Sequence, residues 1–190
     1  MIMLKSTKIR TVFLLGLLLL GLASCDKKTE RTYDLLPPSP EEEKDMTDVG
    51  DLFVNIENSG GDAANEGSKK VVDGAADTKF LTNPFIDTMW MELNLIASQR
   101  IDAYTLTSAN DAESRDPMQW TLKASTDREN WVELDHRENE LFSARFEKRR
   151  FEFENPEKYK YYRLYIEKVN GSSLFQLAEW RIISRPEDAE

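Results

Sequence analysis

Few side chains in this 190-residue sequence have the type and spacing to do chemistry. There is one histidine, His136, and one cysteine, Cys25. A zinc site built from His and Cys needs more ligands than that, and a disulfide framework needs paired cysteines. Any Ser/His/Asp apparatus would have to run through His136. Carboxylates are plentiful, 35 Asp and Glu in all, so pairs of them arise by chance. Glycoside hydrolysis needs two across a cleft, ~5–10 Å apart, and no local motif singles out such a pair. Glycine-rich phosphate loops are absent; Gly60-Gly61 is a turn signal. The residues therefore read as non-catalytic. Lys5, Lys8 and Arg10 are the only charges in the first 25 residues, which leaves 22 basic against 35 acidic residues afterwards, a net charge of −13. Such a balance argues against a nucleic-acid partner, whose phosphates demand a basic face.

Cys25 has a context of its own. Three basic residues precede the apolar run Val12–Leu20, and Leu22-Ala23-Ser24-Cys25 follows it. A charged start, a short apolar stretch and small residues before a cleavage point describe a secretory signal. The run is shorter than the ~20 residues a membrane span needs. Leu22–Cys25 resembles the lipobox of bacterial lipoproteins, and the single cysteine stands where that motif requires it. The resemblance implies diacylation of Cys25, a membrane anchor without a span, and a lipid-anchored place in the bacterial cell envelope, on the outer membrane. Residues 1–25 are accordingly assigned to the signal and 26–50 to a flexible tether. Pro37-Pro38-Ser39-Pro40 and Glu41-Glu42-Glu43 stiffen and extend such a segment. Residues 51–185 are assigned to the folded domain and 186–190 to a tail. All four Trp and eight of the nine Phe lie beyond residue 50.

The domain has a period of two. Met91, Leu93 and Leu95 alternate with Trp90, Glu92 and Asn94. Tyr104 and Leu106 mark a second strand, Trp120, Leu122 and Ala124 a third, Phe151 and Phe153 a fourth. Tyr162, Leu164 and Ile166 form a fifth, and Ala178, Trp180 and Ile182 end the series. Polar turns such as Asn170-Gly171 separate them. Helical turns are expected at most at Asp45–Phe53 or Asn65–Val72. Short strands at this spacing predict an all-β sandwich of two antiparallel sheets. Trp120, Trp131 and Trp180 occupy strand positions and are assigned to the core; Trp90 and Phe85, near Pro84, lie closer to a loop.

Several segments together resemble one family. Val72-Asp73-Gly74-Ala75-Ala76-Asp77-Thr78-Lys79-Phe80 resembles the DG-x-x-x-T-x-W loop of discoidin, or F5/8 type C, domains, whose bacterial relatives include family 32 carbohydrate-binding modules. Arg115–Trp120 looks like the lead into the central strand. Ser125–Trp131 is similar to the S-x-D-G-x-x-W turn, and Tyr161–Leu164 and Leu177–Trp180 to the closing strands. Phe80 stands where the family has Trp, Arg128 where it has the turn Gly, and Ala75 where Asp or Asn is common. The fold implied is an eight-stranded antiparallel jelly-roll sandwich, galactose-binding-domain-like.

The resemblance also implies sites. One structural calcium ion would take carboxylates from Asp73 and Glu179, the Thr78 hydroxyl and carbonyl, and the carbonyls of Lys70, Ala75 and Ala178, a hard-oxygen set suited to Ca²⁺. The alternative is that Asp73 caps a tight turn and Glu179 is a solvated charge. Ligands would bind at the loop end, and the chemistry of sugar binding is an aromatic platform with planar hydrogen-bonding groups. The candidates are Asn110, Asp111, Arg115, Asp116, His136, Arg145 and Trp90, with an Arg115–Asp116 ion pair holding the loop as the alternative. The expected function is carbohydrate recognition by a lipid-anchored binding module. The competing readings are an adaptor that binds a protein of an envelope complex and, last, a small polysaccharide hydrolase.

Overall fold

Alternating apolar and polar residues must put one face of every strand into a core and the other outside it. The computed structural model describes residues 43–185, and in it this constraint yields two stacked antiparallel sheets and no α-helix among those residues. The strands are β1 (Lys44–Asp45), β2 (Gly50–Val54), β3 (Phe80–Thr82), β4 (Met89–Gln99), β5 (Ala103–Thr107) and β6 (Pro117–Ser125). They continue with β7 (Val132–Arg137), β8 (Lys148–Glu152), β9 (Tyr159–Val169), β10 (Phe175–Leu177) and β11 (Glu179–Ser184). One sheet runs β2-β4-β9-β6-β7 and the other β1-β11-β5-β8; β3 and β10 form a small ribbon. Eight of these strands are the expected jelly-roll set, and β1, β3 and β10, of two or three residues each, are additions. The expected helical turns are 3₁₀ turns at Thr47–Val49 and Ser68–Val72.

Register carries the core. Leu164 lies between Met91 and Leu122, Ile166 between Met89 and Trp120, and Tyr162 between Leu93 and Ala124. In the facing sheet Tyr104 lies between Ile182 and Phe151. All of these are buried, as the period of two predicts. The two layers are also pinned: the Trp120 indole donates to the Tyr104 hydroxyl at 2.6 Å, which donates to Asp135 at 2.7 Å.

Two assignments need correction. Trp131 is not core. It sits on the outside of the five-stranded sheet, where the Arg163 guanidinium stacks on it. Nor does the domain begin at residue 51. β1 pairs with β11, Lys44 opposite Ser184 and Asp45 opposite Ile183. Asp45 and Asp48 each accept from Arg181 at 2.7 Å, and the Thr47 hydroxyl accepts from the Ile182 amide. A two-residue strand has no period to read, so the sequence hides it inside the acidic stretch. The signal, the rest of the tether and the 186–190 tail lie outside the described residues. Arg181 is 9% exposed, so removing Asp45 and Asp48 leaves its buried guanidinium with the Val72 carbonyl at 3.0 Å and Glu179 at 3.6 Å. A chain starting at residue 51 should therefore unfold at lower denaturant than one starting at residue 43. The expected loss is roughly 2–3 kcal/mol, less than a fully buried pair would give because Asp48 is exposed.

Candidate functional site

The ends of the strands fix which loops meet. Thr107 pairs with Lys148, Pro117 with Val169, and Met89 with Ile166. The loops after β5, before β8, after β9 and before β4 therefore gather at one end of the sandwich. Asp116 organises that end. It is 2% exposed, and the Arg145 guanidinium grips both of its oxygens. The same guanidinium donates to the carbonyls of Asp111 at 2.7 Å and Ala109. The Gln176 amide donates to the carbonyls of Asp111 and Ala112 and to Asp116. The ion pair expected between Arg115 and Asp116 is thus between Arg145 and Asp116; Arg115 faces Asp111 at 3.7 Å instead. Lys79 closes the frame with a 2.8 Å bond to Asp111. Lys79 and Gln176 carry no sequence signal, because their roles come from partners far along the chain.

This frame leaves some groups outward. Asn110 is exposed, and its side chain has no partner among the described residues. Ser108 exchanges hydrogen bonds with the Ala144–Glu147 segment. Phe146, whose φ is +59°, is held half exposed on that segment next to the Asn110 loop. Phe146 is an aromatic ring that sequence reasoning passed over, since a loop position shows no period.

Two candidates fall elsewhere. Trp90 lies on the outer face of β4, with the Arg163 guanidinium 4.0 Å from its ring centre and the same distance from that of Trp131. Arg163 and Arg128 both bond Glu92, which is only 1% exposed although it points away from the core. Trp90 therefore helps cover an ion cluster. His136 lies on the edge strand β7, bonded to Thr121 at 2.8 Å and facing Glu138 at 3.1 Å. Neither residue joins the loop end.

The DG loop meets the start of β11. Gly74, at φ +79°, and Ala75 donate their amides to one oxygen of Glu179 at 2.9 and 3.2 Å. Asp73 accepts from the Ala75 amide and the Thr78 hydroxyl, so it does cap a turn. Glu179 is not a solvated charge; it is 5% exposed, and its second oxygen is buried without a hydrogen bond. Lys70 approaches Asp73 at 3.4 Å, and Ala178 precedes Glu179 on the β10–β11 junction. The donor set suits a hard cation: two carboxylates, a hydroxyl and backbone carbonyls, with the second Glu179 oxygen free of hydrogen bonds and 3.6 Å from the Arg181 guanidinium. Burial, reinforced by Asp73, pushes the Glu179 carboxyl up to about 7. Asp73 resists its own desolvation through the Ala75 amide and Thr78 hydroxyl and stays below the ordinary range.

The F5/8 type C domain model matches residues 55–180. The chain belongs to that family. Among solved structures, a family 32 carbohydrate-binding module from Clostridium perfringens bound to GalNAc-β-1,3-galactose is 19% identical, with a TM-score of 0.61, over 73% of this chain and 99% of that one. The family 32 module of C. perfringens NanJ, bound to galactose, is 10% identical, with a TM-score of 0.60, over 75% and 99%. A chitosan-binding module from Paenibacillus sp. IK-5 is 17% identical, with a TM-score of 0.58, over 75% and 100%. At these identities the likeness is one of fold. The peptide-N(4)-(N-acetyl-beta-glucosaminyl)asparagine amidase of Arabidopsis thaliana is 30% identical over 112 residues, 55% of this chain. The match spans only 16% of that protein.

The structure accounts for two of the chain's departures from the F5/8 type C pattern. Arg128, at the turn-glycine position, has φ +65°, a conformation that glycine adopts without cost. Arginine is held there by Glu92 and by the rings of Phe53 and Tyr161, 5.1 and 4.6 Å from its guanidinium. Phe80, in the Trp position, is fully buried edge-on to Phe175. The Glu179 shift gives a pH signature. Between about 4.5, the carboxyl's ordinary value, and about 7 the folded chain keeps a proton that the unfolded chain releases. Stability of the calcium-free protein should then fall as pH rises through that window, and Glu179→Gln should flatten the fall. Urea midpoints at pH 5, 6, 7 and 8 check this.

Proposed function

We propose that the chain is a non-catalytic carbohydrate-binding module, held at the bacterial envelope by lipid on Cys25, with the segment before residue 43 as its spacer. The observation that carries the reading is the loop end of an F5/8 type C sandwich, which carries a half-exposed Phe146 and, on the loop that its neighbour Arg145 bonds, an exposed Asn110. An aromatic face and a planar amide on a rigid frame are what a sugar needs: a ring to cover C–H groups and a group to orient hydroxyls. Arg145, Asp116, Asp111 and Arg115 serve the sugar indirectly, by holding the loop. Relatives of the same fold have been solved with galactose and GalNAc-β-1,3-galactose, which supports galactose-containing glycans as first probes. Asp111 and Asp116 at this end are held by Lys79, Arg115 and Arg145, which suits a role of holding and not cleaving.

Calcium fits the same reading. Asp73, Thr78 and Glu179, with the carbonyls of Lys70, Ala75 and Ala178, would hold one ion that ties the DG loop to β11. The ion would supply charge balance to the buried Glu179, and no chemistry on the sugar.

In affinity electrophoresis through galactan gels, the intact chain should be retarded. Phe146→Ala should weaken retention at least ~5-fold, as the loss of one stacking contact implies, with the melting temperature kept. Absence of retention by any polysaccharide gel from a folded protein would refute the assignment. Saturating Ca²⁺ should raise the melting temperature by roughly 5 °C or more. A chelator should reverse that rise, and Asp73→Ala should abolish it.

A further inference from the structure

The outer face of the four-stranded sheet carries a second feature, which begins at the Thr107–Lys148 pair where the loop end stops. Strands β11, β5 and β8 set Arg181, Thr105 and Arg150 in one row, and Glu179, Thr107 and Lys148 in the next. Over these rows runs a groove of about 450 Å³ lined by Glu43, Asp45, Thr105, Lys148, Arg150 and Ile183. Three observations mark it as more than a solvated surface. Thr105 is 4% exposed, and its hydroxyl on the groove floor is buried without a hydrogen bond, a cost that folds normally avoid. Lys148, on the wall, has no partner among the described residues. Arg150 is forked onto both carboxylate oxygens of Glu43 at 2.7 and 3.1 Å. Glu43 is half exposed and precedes the two-residue β1.

We infer that this groove is a subsite for a carboxylated sugar, a hexuronate unit of an acidic polysaccharide. Lys148 and Arg150 take the carboxylate, the Thr105 hydroxyl meets a ring hydroxyl, and the chain's own Glu43 occupies the Arg150 fork until the ligand displaces it. Planar forked recognition of carboxylates is what arginine geometry favours. Among the described residues Ile183 is the only apolar one lining the groove, and none of the lining is aromatic, which suits a hydrophilic occupant. A hexuronate carries carboxylate and hydroxyls on a single ring, and the groove sets two cations on β8 beside the orphaned hydroxyl on β5. The inference rests on the carbohydrate-binding reading of the domain but not on its loop-end site.

The experiment is isothermal titration of the full chain with oligogalacturonate in chelator, so that calcium bridging plays no part. Its methyl ester, a neutral galacto-oligosaccharide and poly-glutamate serve as comparison probes. Oligogalacturonate should bind and its methyl ester should bind at least ten-fold more weakly. Lys148→Ala should cost about ten-fold and Thr105→Val about three- to five-fold, as for one charge-assisted and one neutral hydrogen bond. Glu43→Gln should tighten binding, a gain that a merely structural role for Glu43 would not produce. Equal affinity for the ester, binding that survives Lys148→Ala, or poly-glutamate binding with the same Lys148 dependence overturns the inference. Failure to bind oligogalacturonate while the neutral sugar still binds also overturns it, and leaves the loop-end reading standing.

Discussion

A carboxylate taken out of water has to bring its neutralising partners with it, and the plan of this domain follows from where four such groups were placed. Asp116 is buried at the loop end and recruits Arg145. Glu92 is buried on the outside of one sheet and recruits two arginines. Glu179 is buried at the edge of the other and recruits backbone amides. Asp102, beside β5, is faced by Arg100 and Arg185. Each partnership ties together segments distant in sequence, so the apolar core fixes the layers while these polar contacts fix the loops and edges on which ligands would settle.

That division explains what a sequence reader can and cannot see. Strand faces are set by residues two apart, so Met91, Leu93, Leu122 and Leu164 announce their burial locally. Partners in an ion pair announce nothing. Arg145 lies 29 residues from Asp116, Arg163 lies 71 from Glu92, and Gly74 lies 105 from Glu179. The resemblance of the DG loop and closing strand grouped Asp73, Thr78 and Glu179, which do meet in the fold, because a family pattern records long-range contacts that period does not. It failed for Trp90 and His136, where side-chain type suggested ligand chemistry but strand parity sends both to the outer face of the five-stranded sheet. Trp131 misleads for a related reason: just before a strand, an aromatic ring reads as core even when an arginine waits outside to cover it.

The outer face of the five-stranded sheet shows how an aromatic-rich surface can be occupied without a ligand. Arg163 fills the space between Trp90 and Trp131, and Arg128 lies over Phe53 and Tyr161. Their ring faces are engaged by guanidinium groups.

The Trp120–Tyr104–Asp135 chain of hydrogen bonds has a mechanical meaning. Burial of apolar surface between stacked sheets is non-directional. A directional bond from an indole in one layer to a phenol in the other acts as a shear pin, because a shift by even half a residue would break it and leave polar atoms dry. Tension transmitted along the chain would then meet its resistance at that point, deep between the sheets.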